Sequence, residues 1–491
     1  MNTNILEQYL AATKASYTYT RNYDRWNFLL ESYMGGDEYR RAGHLTRYAL
    51  ETDQEYNQRL ANTPLDNHCQ SVISVYTSFL FRSEPQRDLG VLDSWWARDD
   101  FLQDTDMEGR DINALMREAA VWSSVFGHCF LLVTKPTVLA LTLQDEVMMG
   151  MRPYVSILTP LVVYDWQYQR TAAGRYDLVY IKYAEDINDS VTVIREWYPN
   201  SIKTSVTDRK HKTVIEESEE INGLGYIPII TAYSRRSPIR GLGISAISDI
   251  ADQQRAIYNE LSEVEQSIRL DGHPSLVVTS EVKVGSGAGA IILMPDNQDP
   301  GTKPYVLDYS GAEVSAIYQS IENRVKMIDK MANTGAVRGT ETREASGIAQ
   351  EVEFQLLNAK LSEMADNLEL AEEQLWRIVS DYIQTPWTGL IKYPDSFAIR
   401  DTQNEFGQLQ IAKSTATAPK VLAVIDQQLL ELLGADTDAI SDQEINHSPT
   451  TPETQDSHIQ EMIMQGYTDQ DILTLHAELT QQDIVTARNN I

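Results

Sequence analysis

Apolar residues recur at helical spacing through most of residues 1–135. The segments ILEQYLAAT, YDRWNFLLESYM and INALMREAAVWSSVF all have this spacing. In NHCQSVISVYTSFLF, one helical face is formed by Val72, Val75, Phe79 and Leu80. The pattern predicts a mainly helical region over 1–135, which ends in a strand at CFLLVTK.

Short runs of β-branched and aromatic residues replace this pattern between residues 152 and 233. The runs are YVSILTPLVVYDWQYQ, YDLVYIKYAE, SVTVIREWY, SIKTSVTD, HKTVIEESE and YIPIITAYS. Turn sequences separate them, among them AAGR, INDS, YPNS and DRKH. Such runs and turns predict an antiparallel β meander over 152–233, so that residues 1–243 form a first region of helices and sheet.

Two helices with regular apolar spacing follow, over 244–269 and 312–332. The first carries a heptad seam whose members are Ile247, Ile250, Gln254, Ile257, Leu261, Val264 and Ile268. The second has apolar residues on one side at Ile317, Ile321, Val325 and Ile328. Because a two-helix hairpin buries little surface alone, we expect neighbouring subunits to cover the seam. The alternative is that both helices pack on the 152–233 sheet.

A small insertion, 270–311, separates these two helices. SLVVTS and AIILMP flank the glycine-rich GSGAG, and PDNQDPGTKP is rich in turn residues. The composition predicts a compact unit of strands and turns.

A polar loop at 333–345 leads into one very long helix at 346–383. At 1.5 Å per residue, a helix of roughly 37 residues would extend about 55 Å. Charged residues alternate through it, which excludes a membrane span, so we expect it to pack in a large helical assembly or to be supercoiled. FAIRD predicts a strand that completes the region 346–401. The acidic remainder, 402–491, is predicted to be helical, with a C-terminal helical module at 466–491.

The charge balance limits the classes of function. The chain has 491 residues, with 41 basic against 71 acidic, and a formal net charge of −30. This argues against a protein that grips nucleic acid over a broad basic face, but not against one through which a polyanion must pass.

Motifs for catalysis or cofactor binding are absent from the sequence. It has no phosphate-binding G-x-x-x-x-G-K-[ST], no G-x-S-x-G, no H-E-x-x-H and no nuclease-like cluster of carboxylates. We therefore expect no catalytic residues, no cofactor and no bound metal. The pairs His68-Cys69 and His128-Cys129 leave zinc open as an alternative to buried structural roles, although structural zinc ligands are usually spaced two to four residues apart.

Neither a signal peptide nor a membrane span is predicted. The amino terminus lacks a basic region followed by an apolar one, and SVISVYTSFLF is too short to cross a bilayer. With two cysteines, no disulfide framework is expected. We expect a soluble protein of a reducing compartment that does not associate with membranes.

The order of these elements resembles that of tailed-bacteriophage portal proteins. GYIPIITAYSRRSPIRGLGISAISDIADQQRAIYNELSEVEQSIRLDGHPSLVV resembles the family's first stem helix and the segment before it. ETREASGIAQEVEFQLLNAKLSEMADNLELAEEQLWRI resembles its tunnel loop and long helix. The resemblance covers most of the chain and is firmest at 67–82 and 225–383.

The resemblance implies an α+β, mainly helical, portal-like fold. Residues 1–243 would be the wing, 244–269 and 312–332 the stem, and 270–311 a small α/β clip. Residues 333–345 would be the tunnel loop, 346–401 the long wing helix with its strand, and 402–491 a helical crown.

The family also implies a function and its partners. A ring, typically of twelve copies, would sit at one capsid vertex as the head-to-tail connector, in a virion assembled in the host cytoplasm. Double-stranded DNA would pass through its channel during packaging and ejection. Terminase and head-completion (adaptor) proteins would dock on it, and major capsid and scaffold proteins would surround it.

Candidate site residues are carried over by region. The tunnel-loop and channel residues would be Thr334, Gly335, Val337, Arg338, Gly339 and Arg343, together with Lys326 and Lys330. The docking residues on the clip would be Lys283, Asp296, Asn297, Asp299 and Lys303. The seam residues and their counterparts on 312–332 would serve stem and oligomer packing. The basic residues could equally be ordinary solvated charges.

Two other classes of protein remain open. One is a ring-forming virion or scaffold protein that never contacts DNA. The other is a DNA-processing enzyme whose site has diverged.

Overall fold

The structure, a computed structural model, describes residues 3–136, 142–272, 275–277, 283–284, 292–293, 305–307, 312–338, 347–397, 409–413, 421–422, 425 and 429. The chain divides into two units, Met1–Ala398 and Ile399–Ile491. The α+β, mainly helical class predicted from the sequence is confirmed.

Eight α-helices, several of them with a side-chain cap, lie in the first part of the first unit, among the residues that the structure describes. They are α1 (Thr3–Thr13), α2 (Tyr17–Met34), α3 (Gly36–Arg41), α4 (Asp53–Asn62), α5 (His68–Leu80), α6 (Arg98–Gln103), α7 (Ile112–Phe126) and α8 (Leu143–Met149). The side chain of Asn67 accepts the Gln70 N–H at the start of α5, and Asp111 does the same for α7. These caps satisfy N–H groups that have no partner inside the helix, which fixes where each helix begins.

Two antiparallel sheets follow, where the sequence predicted one meander. After β1 (Gln86–Asp88), the strands are β2 (His128–Thr134), β3 (Tyr154–Leu158), β4 (Val163–Arg170), β5 (Tyr176–Asp186), β6 (Val191–Trp197), β7 (Ser201–Asp208), β8 (Thr213–Ile221) and β9 (Ile229–Tyr233). Only β4 to β8 form the meander, in sequence order. The first and last strands of the predicted range leave it and pair with β2, in the order β3-β2-β9.

Strand β2 explains this departure because it is buried on both faces. Leu131 and Val133 belong to the core formed with the helices, and Phe130 and Leu132 belong to a second core that includes residues of the meander. A strand of this kind needs a hydrogen-bonded neighbour on each edge, since its backbone groups cannot reach water. β3 and β9 supply those neighbours.

The pair of helices expected to form a stem is present with shifted boundaries: α9 covers Ser248–Gly272 and α10 covers Ala312–Ala332. Helix α9 begins four residues later than predicted because the preceding backbone bonds elsewhere. The N–H of Ile244 donates to Arg235 O, and that of Ala246 donates to Ser124 O. At its other end, α9 continues to Gly272, into the range predicted for the clip.

The heptad seam of α9 is covered by the chain itself. Ile247, Ile250, Gln254, Ile257, Leu261 and Val264 are all buried, and α9 packs against α2, α4, α5 and α10. Only Ile268, near the end of the helix, is 47% exposed. On α10, Ile321 and Ile328 are buried, whereas Ile317 and Val325 are partly buried. The expectation that neighbouring subunits must cover the seam is therefore wrong, and so is the alternative of packing on the 152–233 sheet.

The polar member of the seam connects three helices. The Gln254 side chain accepts the Cys69 N–H at 2.8 Å and donates to Ser32 O at 2.9 Å. Cys69 lies in the first turn of α5 and Ser32 in the last turn of α2, where backbone groups lack partners inside their own helix. Gln254 thus satisfies two buried groups that an apolar residue would leave unpaired.

Between α9 and α10, the described residues are all in strands. β10 (Ser275–Val277) pairs antiparallel with β13 (Tyr305–Leu307), and β11 (Lys283–Val284) pairs with β12 (Ile292–Leu293). The strand-and-turn insertion is seen, but the helix implied by an α/β clip is not seen in its described residues.

After α10, a single-turn helix α11 (Gly335–Arg338) precedes α12 (Gly347–Tyr382), whose 36 residues correspond to about 54 Å. Neither a supercoil nor a multi-chain assembly is needed to bury the apolar face of α12 from Leu357 onward, and the helix packs on β2, β9, α5 and α7. The buried side chains of this part include Leu357, Leu361, Met364, Leu368, Leu375, Trp376 and Val379. Helix α12 is thus the central helix of the first unit's core.

The strand after α12 lies earlier than predicted. β14 (Leu390–Lys392) pairs with β1, and the ion pair from Arg87 Nε to buried Glu372 Oε1 (2.5 Å) joins this ribbon to α12. Phe397 is described and is not in a strand, whereas the rest of FAIRD lies outside the described residues. In the second unit, 409–413 and the described residues 421, 422, 425 and 429 are helical, as predicted; the module 466–491 lies outside the described residues.

Candidate functional site

The segment predicted as the tunnel loop is anchored at its beginning. Asn333 has a positive φ of 59° and ends α10. The N–H of Thr334 bonds to Asp329 O, and that of Asn333 bonds to Lys330 O. This pair of bonds is a Schellman motif, which asparagine can close because it tolerates the left-handed conformation. The first part of the predicted loop is therefore a helix end followed by the turn of α11, and not an irregular segment.

Arg338, which the sequence placed among channel-facing charges, is held in a partly buried cluster. Its Nη1 lies 2.8 Å from Asp329 Oδ1, and both side chains are 13% exposed. Its Nη2 lies 2.9 Å from Nδ1 of His68. The Thr334 hydroxyl, fully buried, donates to Asp329 Oδ1 at 3.2 Å. In this conformation Arg338 ties the end of α11 to α5 and α10, and it does not extend into solvent.

The contact with Arg338 also determines the protonation state and the tautomer of His68. Because a guanidinium can only donate, Nδ1 of His68 must accept, and the ring is neutral with its proton on Nε2. Burial, and then the nearby Arg338 charge, lower the pKa of His68, which favours the same neutral form. The sequence drew attention to His68 only through the adjacent cysteine.

The other predicted loop and channel residues have different surroundings. Val337 is 39% exposed, and Lys326 and Lys330 are exposed on α10. Gly335 lies near the Glu353 carboxylate of α12. Gly339 and Arg343 lie outside the described residues. The basic groups presented near the loop are thus Lys326 and Lys330.

Lys360 is a site residue that the sequence analysis missed. Its Nζ donates to the Tyr76 hydroxyl at 2.7 Å, and that hydroxyl donates to Ala332 O at 2.6 Å, which links α12, α5 and the end of α10. Burial, and then the Arg235 charge, lower the pKa of Lys360 to about 8. The available signal was its position in the buried stripe of α12, between Leu357 and Met364.

A cavity of about 470 Å³ lies beside this lysine. It is bordered by the start of α9, the end of α10 and the first half of α12, and its charged lining residues are Arg235, Asp249, Lys360 and Glu363. Two of these groups are basic and two are acidic, so the lining has no excess of one charge.

The predicted clip residues are described only in part. Lys283 is in β11, and Asp296, Asn297, Asp299 and Lys303 lie outside the described residues. Their docking role remains a prediction.

The two His-Cys pairs differ in their surroundings, since His68 contacts Arg338 whereas the other three side chains are buried. Cys69, Cys129 and His128 are buried, and Nδ1 of His128 accepts the Gly243 N–H at 3.4 Å. Within the part of the chain that the structure describes, no three His, Cys, Asp or Glu side chains are grouped to hold a metal ion. Likewise, none of the described helices is long and apolar enough to span a membrane.

Comparison with known proteins gives one family match. The model of the family described as phage portal protein, SPP1 Gp6-like, matches residues 13–438. No curated protein matches the chain. A chain from the neck of an empty GTA particle, computed with C6 symmetry, has a TM-score of 0.44 and 10% identity, and the alignment covers 80% of this chain and 99% of that one. A chain from the virion of a native gene transfer agent particle has a TM-score of 0.40 and 11% identity, covering 84% and 98%.

Proposed function

The chain belongs to the SPP1 Gp6-like family of phage portal proteins, and we propose that it forms a ring, of about twelve copies as in that family, at one vertex of a phage-type capsid. DNA would enter through the central channel during packaging and leave through it at ejection. The observation that carries this proposal is the family match over residues 13–438, which includes the wing, both stem helices, the loop and the long helix.

The charge of the chain suits a channel that conducts DNA without holding it. Each copy contributes a formal charge of −30, so a ring offers duplex DNA few of the basic contacts that release counterions. Lys326 and Lys330, exposed on α10 before the loop, would place sparse basic rings beside the DNA. Arg343 would add a third, whereas Arg338 is occupied by Asp329 and His68.

Docking of terminase, and later of head-completion proteins, is assigned to the insertion between α9 and α10. Its paired strands β10 and β13 lie in the chain between α9 and α10, two helices that pack on each other. Major capsid and scaffold proteins would surround the ring in the assembling virion. Since ATP hydrolysis would belong to terminase, this chain needs no phosphate-binding loop.

Packaging tests the channel. Capsids assembled around Lys326→Glu/Lys330→Glu, or around Arg343→Glu, should contain normal rings but retain shorter DNA, because these changes remove basic contacts with DNA and the two lysines are exposed. Arg377→Glu, an exposed arginine on α12 outside the loop region, is the matched control and should retain full-length DNA. Normal genome length in all variants would refute a DNA-contacting role for these residues.

The enzyme alternative is tested separately. We expect no nuclease or nucleotide hydrolysis from the purified chain with divalent metal present. Turnover that copurifies with the protein and is abolished by changing one carboxylate would favour a DNA-processing enzyme.

A further inference from the structure

Exposed arginines cluster at one end of the five-stranded sheet. Arg170 ends β4, and Tyr176 begins β5 across the same turn. The guanidinium of Arg240 lies 3.8 Å from the centroid of the Tyr176 ring, and that of Arg170 lies 6.0 Å from it. Arg236 lies 5.3 Å from the ring centroid of Tyr233. These cation–π contacts orient the arginines while leaving their charge available.

The loop that carries two of these arginines is rigid. Ser237 N–H bonds to Leu242 O, and Leu242 N–H bonds to Ile239 O. Gly241, at a φ of 79°, lies so close to the Trp166 ring of β4 that no side chain would fit there. The loop is therefore fixed against the β4 side of the sheet, and its arginines have a defined position.

Among the residues that the structure describes, Arg170, Arg236 and Arg240 form no ion pair, although the chain has 71 acidic residues. Arg175, in the same turn as Tyr176, is paired with Asp177. Exposed apolar side chains accompany the three arginines: Tyr176 is 43% and Ile239 56% exposed. We call the surface of Arg170, Tyr176, Arg236, Ile239 and Arg240 the basic patch.

The opposite end of the same sheet is acidic. Strand β8 is its other terminal strand, about 19 Å from β4 at the usual strand spacing. Four exposed glutamates lie along it, Glu216, Glu217, Glu219 and Glu220, of which Glu217 pairs with Lys203. Exposed isoleucines flank them, with Ile215 59% and Ile221 89% exposed. We call Ile215 to Ile221 the acidic edge. The basic turn 209–212 precedes β8 in the chain and is not part of this edge.

A closed ring of identical subunits requires two different, complementary surfaces on each copy. The basic patch and the acidic edge satisfy this requirement, since each combines exposed apolar side chains with charges of one sign, of which only Glu217 has an ion-pair partner within the described residues. No described strand pairs with the outer edge of β8, and helix α1 also contacts this strand. The glutamates oppose pairing with another strand edge of the same charge but attract a basic surface.

We propose that, in the ring proposed above, the basic patch of each subunit binds the acidic edge of the next. The partner is a second copy of this chain and not DNA. The net charge of −30 repels DNA, itself a polyanion, as it approaches the chain. A contact between two adjacent subunits depends instead on the local charges that lie within one Debye length of each other. Like charges placed at such a contact repel each other, so reversal of either surface blocks closure of the ring.

Charge exchange tests this pairing. Arg236→Glu/Arg240→Glu and Glu219→Arg/Glu220→Arg should each lower the fraction of protein in closed rings about tenfold or more at matched concentration, measured by mass photometry and negative-stain images. An equimolar mixture of the two variants should restore rings, because alternating subunits match every contact in an even-numbered ring. A chain with all four changes should assemble alone.

Controls separate this inference from the proposed function. Arg41→Glu/Arg82→Glu changes the charge equally at exposed residues outside both surfaces and should leave assembly unchanged. Normal rings from both variants would overturn the pairing while leaving the portal ring intact. A second outcome would also overturn the pairing: both variants form normal rings, but the packaged DNA is shorter in the arginine variant alone. That outcome would mean that the basic patch contacts DNA. Failure of the unmodified chain to form rings would instead overturn the proposed function.

Discussion

Replacing Gln254 by methionine should destabilise a single subunit, because this residue satisfies two buried backbone groups. Methionine preserves the length of the side chain but can neither accept the Cys69 N–H nor donate to Ser32 O. A buried polar group left unpaired costs about 1–3 kcal/mol, so the two together predict a loss of about 2–6 kcal/mol. The sequence alone would suggest the opposite, since methionine completes an apolar heptad seam.

Hydrogen exchange gives a local measure of this loss. The Cys69 amide should exchange at least roughly 30-fold faster in the variant, because loss of the Gln254 hydrogen bond favours the local opening through which this amide exchanges. Denaturant unfolding should show a lower midpoint, compared at one protein concentration because assembly adds stability by mass action. Gln266→Met, at a partly exposed position of the same helix, is the control and should change stability by less than about 0.5 kcal/mol. Unchanged exchange and an unchanged midpoint in Gln254→Met would refute this account of the seam.

Three further predictions concern buried groups. Arg338→Ala should raise the pKa of His68, measured by NMR titration, because it removes a positive charge beside the ring; an unchanged pKa would mean that the contact does not persist in solution. Burial lowers the pKa of His128 to about 3, so the unfolded chain binds the extra proton and stability falls as pH drops below about 6.5, by about 2 kcal/mol at pH 5 from this residue. His128→Asn should therefore lose less stability than the unmodified protein between pH 7 and 5, and equal losses would contradict the burial of this imidazole. Leu261→Asp should unfold the chain, seen by circular dichroism, since it buries an unpaired carboxylate; a folded monomer that merely fails to assemble would restore the intersubunit interpretation of the seam.

The long helix could be predicted from the sequence because the spacing of its apolar residues, and the residues that end it, are local features of the chain. The predicted range 346–383 differs from Gly347–Tyr382 by one residue at each end. Apolar spacing of three to four residues requires only that one face be covered, and Pro386 lies shortly beyond the end.

What covers a face could not be predicted in the same way. The heptad pattern of α9 gives one apolar stripe, but three of the helices that pack on it, α2, α4 and α5, come from positions some two hundred residues away, as the 185-residue separation of Cys69 and Gln254 shows. Alternation likewise identified the strands at 154–158 and 229–233, but not that β2 would separate them from the meander. Pairing partners are set by the fold as a whole.

Arg338 illustrates the same limit at the candidate site. An arginine among glycine and threonine residues is typical of a solvated loop. Its partner His68 is 270 residues away in the chain, so no local pattern could indicate the contact. The lysines of α10 were easier to place, because a charged residue opposite a buried helical stripe faces outward.

The mass of the assembled protein, followed by a top-view image, tests the central claim most directly. The account predicts a closed ring with a central channel and a mass that is a whole multiple of 55.6 kDa, about twelvefold as in the portal family. A strictly monomeric species at micromolar concentration and physiological salt would contradict it.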